Sequence, residues 1–201
     1  MTGTEKSEVI ARFQKSATDF IKGHKVDEIR IIGEDIYNEF VSPSLWDGTM
    51  ALAKKHLAAG DEVWLVTASP KDFAELIADK LGFTGALGTL AEVEGGKYTG
   101  NLIGNLLHGK EKASAVLELT GKRNIDIKDC FAYSDSHNDI PLLTTVGHPN
   151  AINPDAKLRI IAFSSGWPVH DFRRLRWLNR FIGPSVSRLA GFWTFLTARN
   201  K

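Results

Sequence analysis

From Glu62 onward, short apolar runs alternate with amphipathic stretches, the pattern of a parallel sheet with helices packed on it. Glu62–Thr67 reads as a strand, and Pro70 opens a helix through Leu81 where its missing N–H is harmless. A short strand follows near Ala86–Thr89. Leu90–Val93 and Lys97–Ile103 alternate in polarity across Glu94-Gly95-Gly96, which predicts a hairpin. A helix over Glu111–Leu119 leads to Cys130–Ser134, a small, apolar and aromatic run bounded by the polar stretch Asn124–Asp129 and therefore a buried strand. After Asp139 the pattern predicts a short helix, an edge strand over Val146–Ile152 because Pro149 cannot donate to a ladder, and a helix over Asp155–Phe163.

The region before Glu62 is helical in period. Val9, Ile10, Phe13, Ala17, Phe20 and Ile21 share one face, with Gly23 closing the run. Ile29, Ile32, Ile36 and Phe40 form a second face, although Ile29, Ile31 and Ile32 also permit a strand. Ser42-Pro43-Ser44 breaks the pattern, and Leu45–Ala59 predicts a third helix ended by Gly60. Neither an internal repeat nor a low-complexity segment is present.

Composition narrows the class. The 201 residues suit one core with a small appendage, and 43% hydrophobic with 24% charged residues excludes disorder of the whole. The net charge of +1 conceals an asymmetry: residues 172–201 hold seven Arg or Lys and no Asp or Glu, leaving the rest at −6. A basic stretch confined to one end of an acidic body argues against nucleic acid as a partner. Single Cys130 excludes an internal disulfide and a cysteine zinc site and fits a reducing cytoplasm; no signal peptide or membrane span is recognisable.

Candidate chemistry collects at strand ends. Thr67 ends its strand with Ser69 two residues on, and hydroxyls with backbone N–H groups entering a helix can hold phosphate oxygens. Lys112 opens the helix after His108-Gly109 and can set an ammonium against the same anion. Asp135 and Asp139, four residues apart after the Cys130–Ser134 strand, can serve Mg²⁺, which favours few carboxylates with phosphate and water. Taken singly, Thr67 also reads as a helix cap, Lys112 as a solvated lysine, and the two aspartates as a cap and a first-turn carboxylate.

Val63-Trp64-Leu65-Val66-Thr67-Ala68-Ser69-Pro70, Leu107-His108-Gly109-Lys110-Glu111-Lys112 and Tyr133-Ser134-Asp135-Ser136-His137-Asn138-Asp139-Ile140-Pro141 resemble the second, third and fourth motifs of haloacid dehalogenase-like hydrolases, in their IB-type, phosphoserine phosphatase-like branch. Gly85–Thr89, Tyr98-Thr99-Gly100 and Ala151–Asp155 resemble that branch as well. The resemblance implies a Rossmann-like parallel sheet flanked by helices, with a partial N-terminal helical cap and a β-hairpin insertion. It divides the chain into a cap remnant (1–41), an α/β core (42–171) and a basic amphipathic tail (172–201). It also implies a Mg²⁺-dependent phosphomonoester hydrolase acting on a small phosphorylated metabolite. Thr67, Ala68, Lys112 and Asn138 would bind phosphate, Lys112 and Asp139 would serve catalysis, and Asp135 would ligate the metal.

The family's first motif, an apolar strand ending in Asp-x-Asp-x-Thr that supplies the nucleophile, has no match upstream of Thr67. Asp35 comes nearest but is followed by Ile36-Tyr37-Asn38. That strand is central in the family, between the strands of Thr67 and Asp135. Its loss predicts either direct pairing of those two strands around a dead site, or a piece of a longer protein with impaired activity alone. The second is the expectation carried forward. The competing reading is a non-catalytic phosphatase-like module. Trp177, Phe181, Trp193 and Phe195 with the tail arginines suit an interfacial helix on anionic lipid, or else cover the core or a subunit, so peripheral membrane contact and a homo-oligomer both stay open.

Overall fold

The computed structural model describes residues 21–173 and 194–198. In chain order the elements are α1 (Val26–Ile36), α2 (Asp47–Ala58), β1 (Glu62–Pro70), α3 (Lys71–Leu81), β2 (Gly85–Thr89), β3 (Ala91–Glu94), β4 (Lys97–Leu102), α4 (Lys110–Arg123), β5 (Phe131–Ser134), α5 (Ile140–Leu143), β6 (His148–Ile152), α6 (Ala156–Ser164), β7 (Val169–His170) and β8 (Thr194–Ala198). A six-stranded sheet runs β2-β1-β8-β5-β6-β7, and β3-β4 form a separate hairpin.

Period-two alternation on β1 and its neighbours fills both faces. Val66, Leu196, Ala132 and Ala151 face Val116 of α4, Leu142 and Leu143 of α5, and Leu158 and Ala162 of α6. On the other face Leu65 and Ala86 pack on Ala74, Ile77 and Ala78 of α3, while Val63, Phe195 and Tyr133 meet Ala53 of α2. This is the α/β layering expected from the strand–helix alternation. The hairpin is tied to α3 by the buried Tyr98, whose hydroxyl donates to Asp72 at 2.6 Å.

The helical reading of Ile29–Phe40 holds with a change of face. A π-helical turn at Tyr37–Val41 follows α1, and Gly33, Tyr37 and Val41 become the buried positions while Phe40 is half exposed. Gly33 lets α1 approach Phe73 and Leu76; a Cβ there would lie 3.1–3.2 Å from their side chains.

One expectation and one alternative need correction. β6 is interior, because β7 pairs with it in parallel. Pro149 is tolerated because Ala151, two residues on, donates outward to Pro168 O; Pro149 faces that same side before β7 begins. The strands of Thr67 and Asp135 do not pair directly either. β8 lies between them, pairing with β1 from Glu62↔Ala198 to Val66↔Thr194 and with β5 from Phe131↔Thr197 to Tyr133↔Phe195, antiparallel to both. Phe195 is therefore a buried strand residue and not part of an interfacial helix. Arg174, Trp177, Phe181 and Trp193 lie outside the described residues, as does all of the predicted helix from Val9 to Ile21 except Ile21 itself.

Candidate active site

Because β1 and β5 both run opposite to β8, they are parallel to each other and their carboxyl ends share one rim, where open α/β sheets gather ligands. The β5 half of that rim is tightly bonded. Lys112 lies in the first turn of α4, an end where the helix dipole disfavours a cation, yet it is buried. Its Nζ lies 3.0 Å from both Oδ1 and Oδ2 of Asp139, which is equally buried. Ser134 Oγ donates to Asp139 Oδ2 at 2.7 Å and accepts from Ser136 N at 3.1 Å. Ser136 Oγ in turn accepts from the backbone N and the Nδ2 of Asn138, both at 3.2 Å, capping the 3-10 turn His137–Asp139.

Gly109 lets the α4 start approach this turn. Its φ of 58° and ψ of −114° suit glycine, and its Cβ position lies 3.6 Å from Asn138 O. Asp135, directly after β5, is held by Asp155 N donating to its backbone carbonyl at 2.8 Å. Burial pushes its carboxyl up to about 6. Asp139 and Asp155 push the same way, against its own backbone N–H bond and the Lys112 charge. Asp155 also caps α6 through Leu158 N and accepts from His137 N and Nδ1 at 2.8 and 2.9 Å. Burial opposes its ionisation, but the bonds from Leu158 and His137 outweigh that and hold its carboxyl below the usual range.

The β1 half is looser. Register shifts between Val66 and Pro70, so the strand end bulges and carries Thr67 Oγ1 to Ser69, which it meets at 3.2 Å through both Oγ and N. Gly88 makes room for this loop: a Cβ there would stand 2.9 Å from Ser69 O and 2.6 Å from Lys71 Cα. Buried Thr89 ties the loop to the α4 approach by donating to Ala68 O at 2.7 Å and accepting from Leu107 N at 3.1 Å.

Lys112, Asp139, Asn138 and Asp135 thus form one group, with Thr67 and Ala68 in another. With β8 between them and strands spaced ~4.8 Å apart, the halves stand roughly 10 Å from each other. Sequence reading assigned no role to Ser134, Ser136 or Asp155. Ser134 ends an apolar strand, a position where a hydroxyl signals a rim contact. The bond between Asp155 and Asp135 joins distant segments and has no local signature. Among the described residues no group of three or more His, Cys, Asp or Glu could hold a metal, and no helix is long and apolar enough to cross a membrane.

A mostly parallel α/β sheet carries on its carboxyl rim a buried lysine paired with Asp139, facing a hydroxyl loop. The haloacid dehalogenase-like hydrolase family matches residues 7–144, and the chain belongs to it. It is 47% identical over 189 residues to phosphoserine phosphatase SerB1 of Mycobacterium tuberculosis (strain ATCC 25618 / H37Rv), with 94% of this chain and 61% of that protein covered. It is 44% identical over 201 residues to the putative hydrolase ML2424 of Mycobacterium leprae, covering 100% of this chain and 67% of that one. A crystal structure of a protein of unknown function from Bordetella pertussis Tohama I is 31% identical and superposes with a TM-score of 0.74, over 79% of this chain and 73% of that one. The chain therefore spans about three fifths of the length of its M. tuberculosis relative.

Proposed function

We propose that this chain is the phosphate- and cation-binding part of a phosphatase that acts on a small phosphorylated metabolite. The observation that carries the reading is the buried Lys112–Asp139–Ser134 knot beside Asp135, on the same rim as the Thr67–Ser69 loop. The likeness to phosphoserine phosphatase SerB1 supports it. Thr67 Oγ1 and the N–H of Ala68 bind phosphate oxygens, Asn138 adds a polar contact, and Lys112 supplies the positive charge.

Asp139 positions Lys112 by accepting on both oxygens and so keeps the Nζ aimed. Asp135 is the residue that would hold Mg²⁺: its half-buried carboxyl, pushed up to about 6 by desolvation and neighbouring acids, gains from a cation, and Mg²⁺ asks for only one or two carboxylates. Bound there, the ion would offset charge on the phosphate oxygens. No described residue matches the attacking aspartate that the family resemblance implies, and β8 lies in the corresponding place in the sheet. The chain alone is accordingly expected to bind phosphate and to turn substrate over poorly or not at all.

Titration calorimetry with inorganic phosphate, with and without Mg²⁺, tests the reading together with hydrolysis of an aryl phosphate. Expected are Mg²⁺-dependent phosphate binding and its loss in Thr67→Val and Asp135→Asn. Turnover abolished by Asp135→Asn would establish an active enzyme. Binding without turnover would favour a non-catalytic phosphate-binding module, the reading that the strand dividing the rim supports. Absence of both binding and turnover would overturn the proposal.

A further inference from the structure

Asp155 bonds to more of the rim than capping a helix requires. An N-cap serves its helix through one side-chain oxygen, and Asp155 Oδ1 does so by accepting from Leu158 N at 2.8 Å. The other oxygen serves a different element: Oδ2 accepts from His137 N at 2.8 Å and from His137 Nδ1 at 2.9 Å, 18 residues back along the chain. Asp155 N, meanwhile, donates to Asp135 O at 2.8 Å. One residue thus grips both ends of Asp135-Ser136-His137, while Ser136 N and Oγ tie the middle of the turn to Ser134 and Asn138. Among the described residues, the Asp135 carboxylate bonds only to its own backbone N–H.

The direction of that carboxylate is therefore set by its main chain, and Asp155 holds the main chain. We propose that Asp155 is a positioning residue for the cation site: it does not touch the ion, but by fixing Asp135 and His137 it sets the direction in which Asp135 presents its carboxylate to a divalent cation. This rests on the role proposed for Asp135 above. A single bond from Asp155 N to Asp135 O would leave the turn free to pivot. The bonds to His137 N and Nδ1 add two further points of attachment, and three points fix an orientation. Ligating carboxylates depend on such outer contacts, whose loss typically lowers metal affinity by about 10–100-fold.

The test separates capping from positioning. Asp155→Ser keeps a good N-cap and the backbone N–H to Asp135 O but loses the carboxylate oxygen that accepts from His137. Mn²⁺ is titrated into the full chain with inorganic phosphate present, and the free ion is followed by electron paramagnetic resonance. Asp155→Ser should bind Mn²⁺ roughly tenfold or more weakly, with its urea midpoint unchanged. Without any cation, the amides of residues 135–137 should exchange about tenfold faster in that variant, and those of α6 at the unmodified rate. His137→Ala should weaken Mn²⁺ binding severalfold. The double variant should bind no more weakly than Asp155→Ser, since both changes break one link.

Should Asp155→Ser not fold, Asp155→Asn takes its place: its one amide oxygen can cap Leu158 or accept from His137 but not both, and Mn²⁺ affinity should fall as in Asp155→Ser. Equal Mn²⁺ affinity in the variant and the unmodified chain would overturn the inference and leave the cation role of Asp135 standing. A fall in affinity that comes with a lower urea midpoint and faster exchange throughout α6 would reduce Asp155 to a helix cap and overturn it as well. If the unmodified chain binds no Mn²⁺, the proposed cation role fails. Faster exchange confined to residues 135–137 would then still show that Asp155 holds this turn, and unchanged exchange there would overturn that too.

Discussion

The two halves of the rim, one on each side of β8, are built differently. On the β5 side every functional group is held by another: Lys112 by Asp139, Asp139 by Ser134, Ser134 by Ser136, and Asp135 through its backbone by Asp155. On the β1 side Thr67 meets Ser69 in a bulged strand end, with no buried charge in the loop. The β5 half is part of the core as well as of the site. Changes there should cost stability first, whereas changes on the β1 side should cost ligand binding and leave the fold nearly intact.

The largest effect expected is from Lys112→Met, which leaves Asp139 buried and without its cation and should lower unfolding free energy by about 3–5 kcal/mol in a denaturant titration. Lys112→Met/Asp139→Leu should recover much of that loss, because the cost lies mainly in the unpaired charge. Equal losses in the single and double variants would show that the knot contributes through packing and would erase the contrast between the halves.

Asp135 comes next. Its folded carboxyl binds a proton more tightly than the unfolded one, so its contribution favours folding below the ordinary carboxylate range and is lost as pH rises through about 6. Without a cation, Asp135→Asn should remove that decline and stabilise the chain at pH 8 by about 2–3 kcal/mol. Cation binding should strengthen over the same interval, as the carboxyl ionises. A stability profile across pH 4–8 that is the same in Asp135→Asn and the unmodified chain would count against an Asp135 whose carboxyl is raised by desolvation.

Thr197→Val probes the strand that separates the halves. Replacing a buried hydroxyl that has no hydrogen-bond partner among the described residues by a methyl of similar shape should raise stability by about 1 kcal/mol, read as a higher midpoint in urea. Smallest on the fold is Thr67→Val, expected within about 1 kcal/mol of the unmodified chain because the β1 loop keeps its backbone bonds through Thr89. Phosphate binding should nonetheless fall. A Thr67 variant that unfolds like Lys112→Met would show that both halves are equally structural.

Much of the site is legible in local pattern. Strand ends followed by Thr67 and Asp135, and a helix start carrying Lys112, follow from period, punctuation and residue type, and the fold brings Lys112 to Asp139 as an anion–cation pair. Contacts that depend on a second segment have no local signature: Asp155 serving Asp135 across the rim, and His56 bridging Asp61 at 2.8 Å and Tyr133 at 2.7 Å. The edge reading of β6 failed similarly, since the two residues of β7 are too few to show any periodicity.

The sequence by itself determined the described helices, the hairpin, the strands of the two parallel blocks other than β7 and which polar residues stand on the rim, because backbone propensity, alternation and turn residues act within a few positions. Tertiary structure alone decided what fills the centre of the sheet. Thr194–Ala198 is a short apolar stretch at the end of a basic segment, and nothing within it specifies partners more than 60 residues away on β5 and more than 120 away on β1. Its place is set by the exposed edges of those two strands. Their need for main-chain partners drew in an antiparallel strand, and with it divided the site.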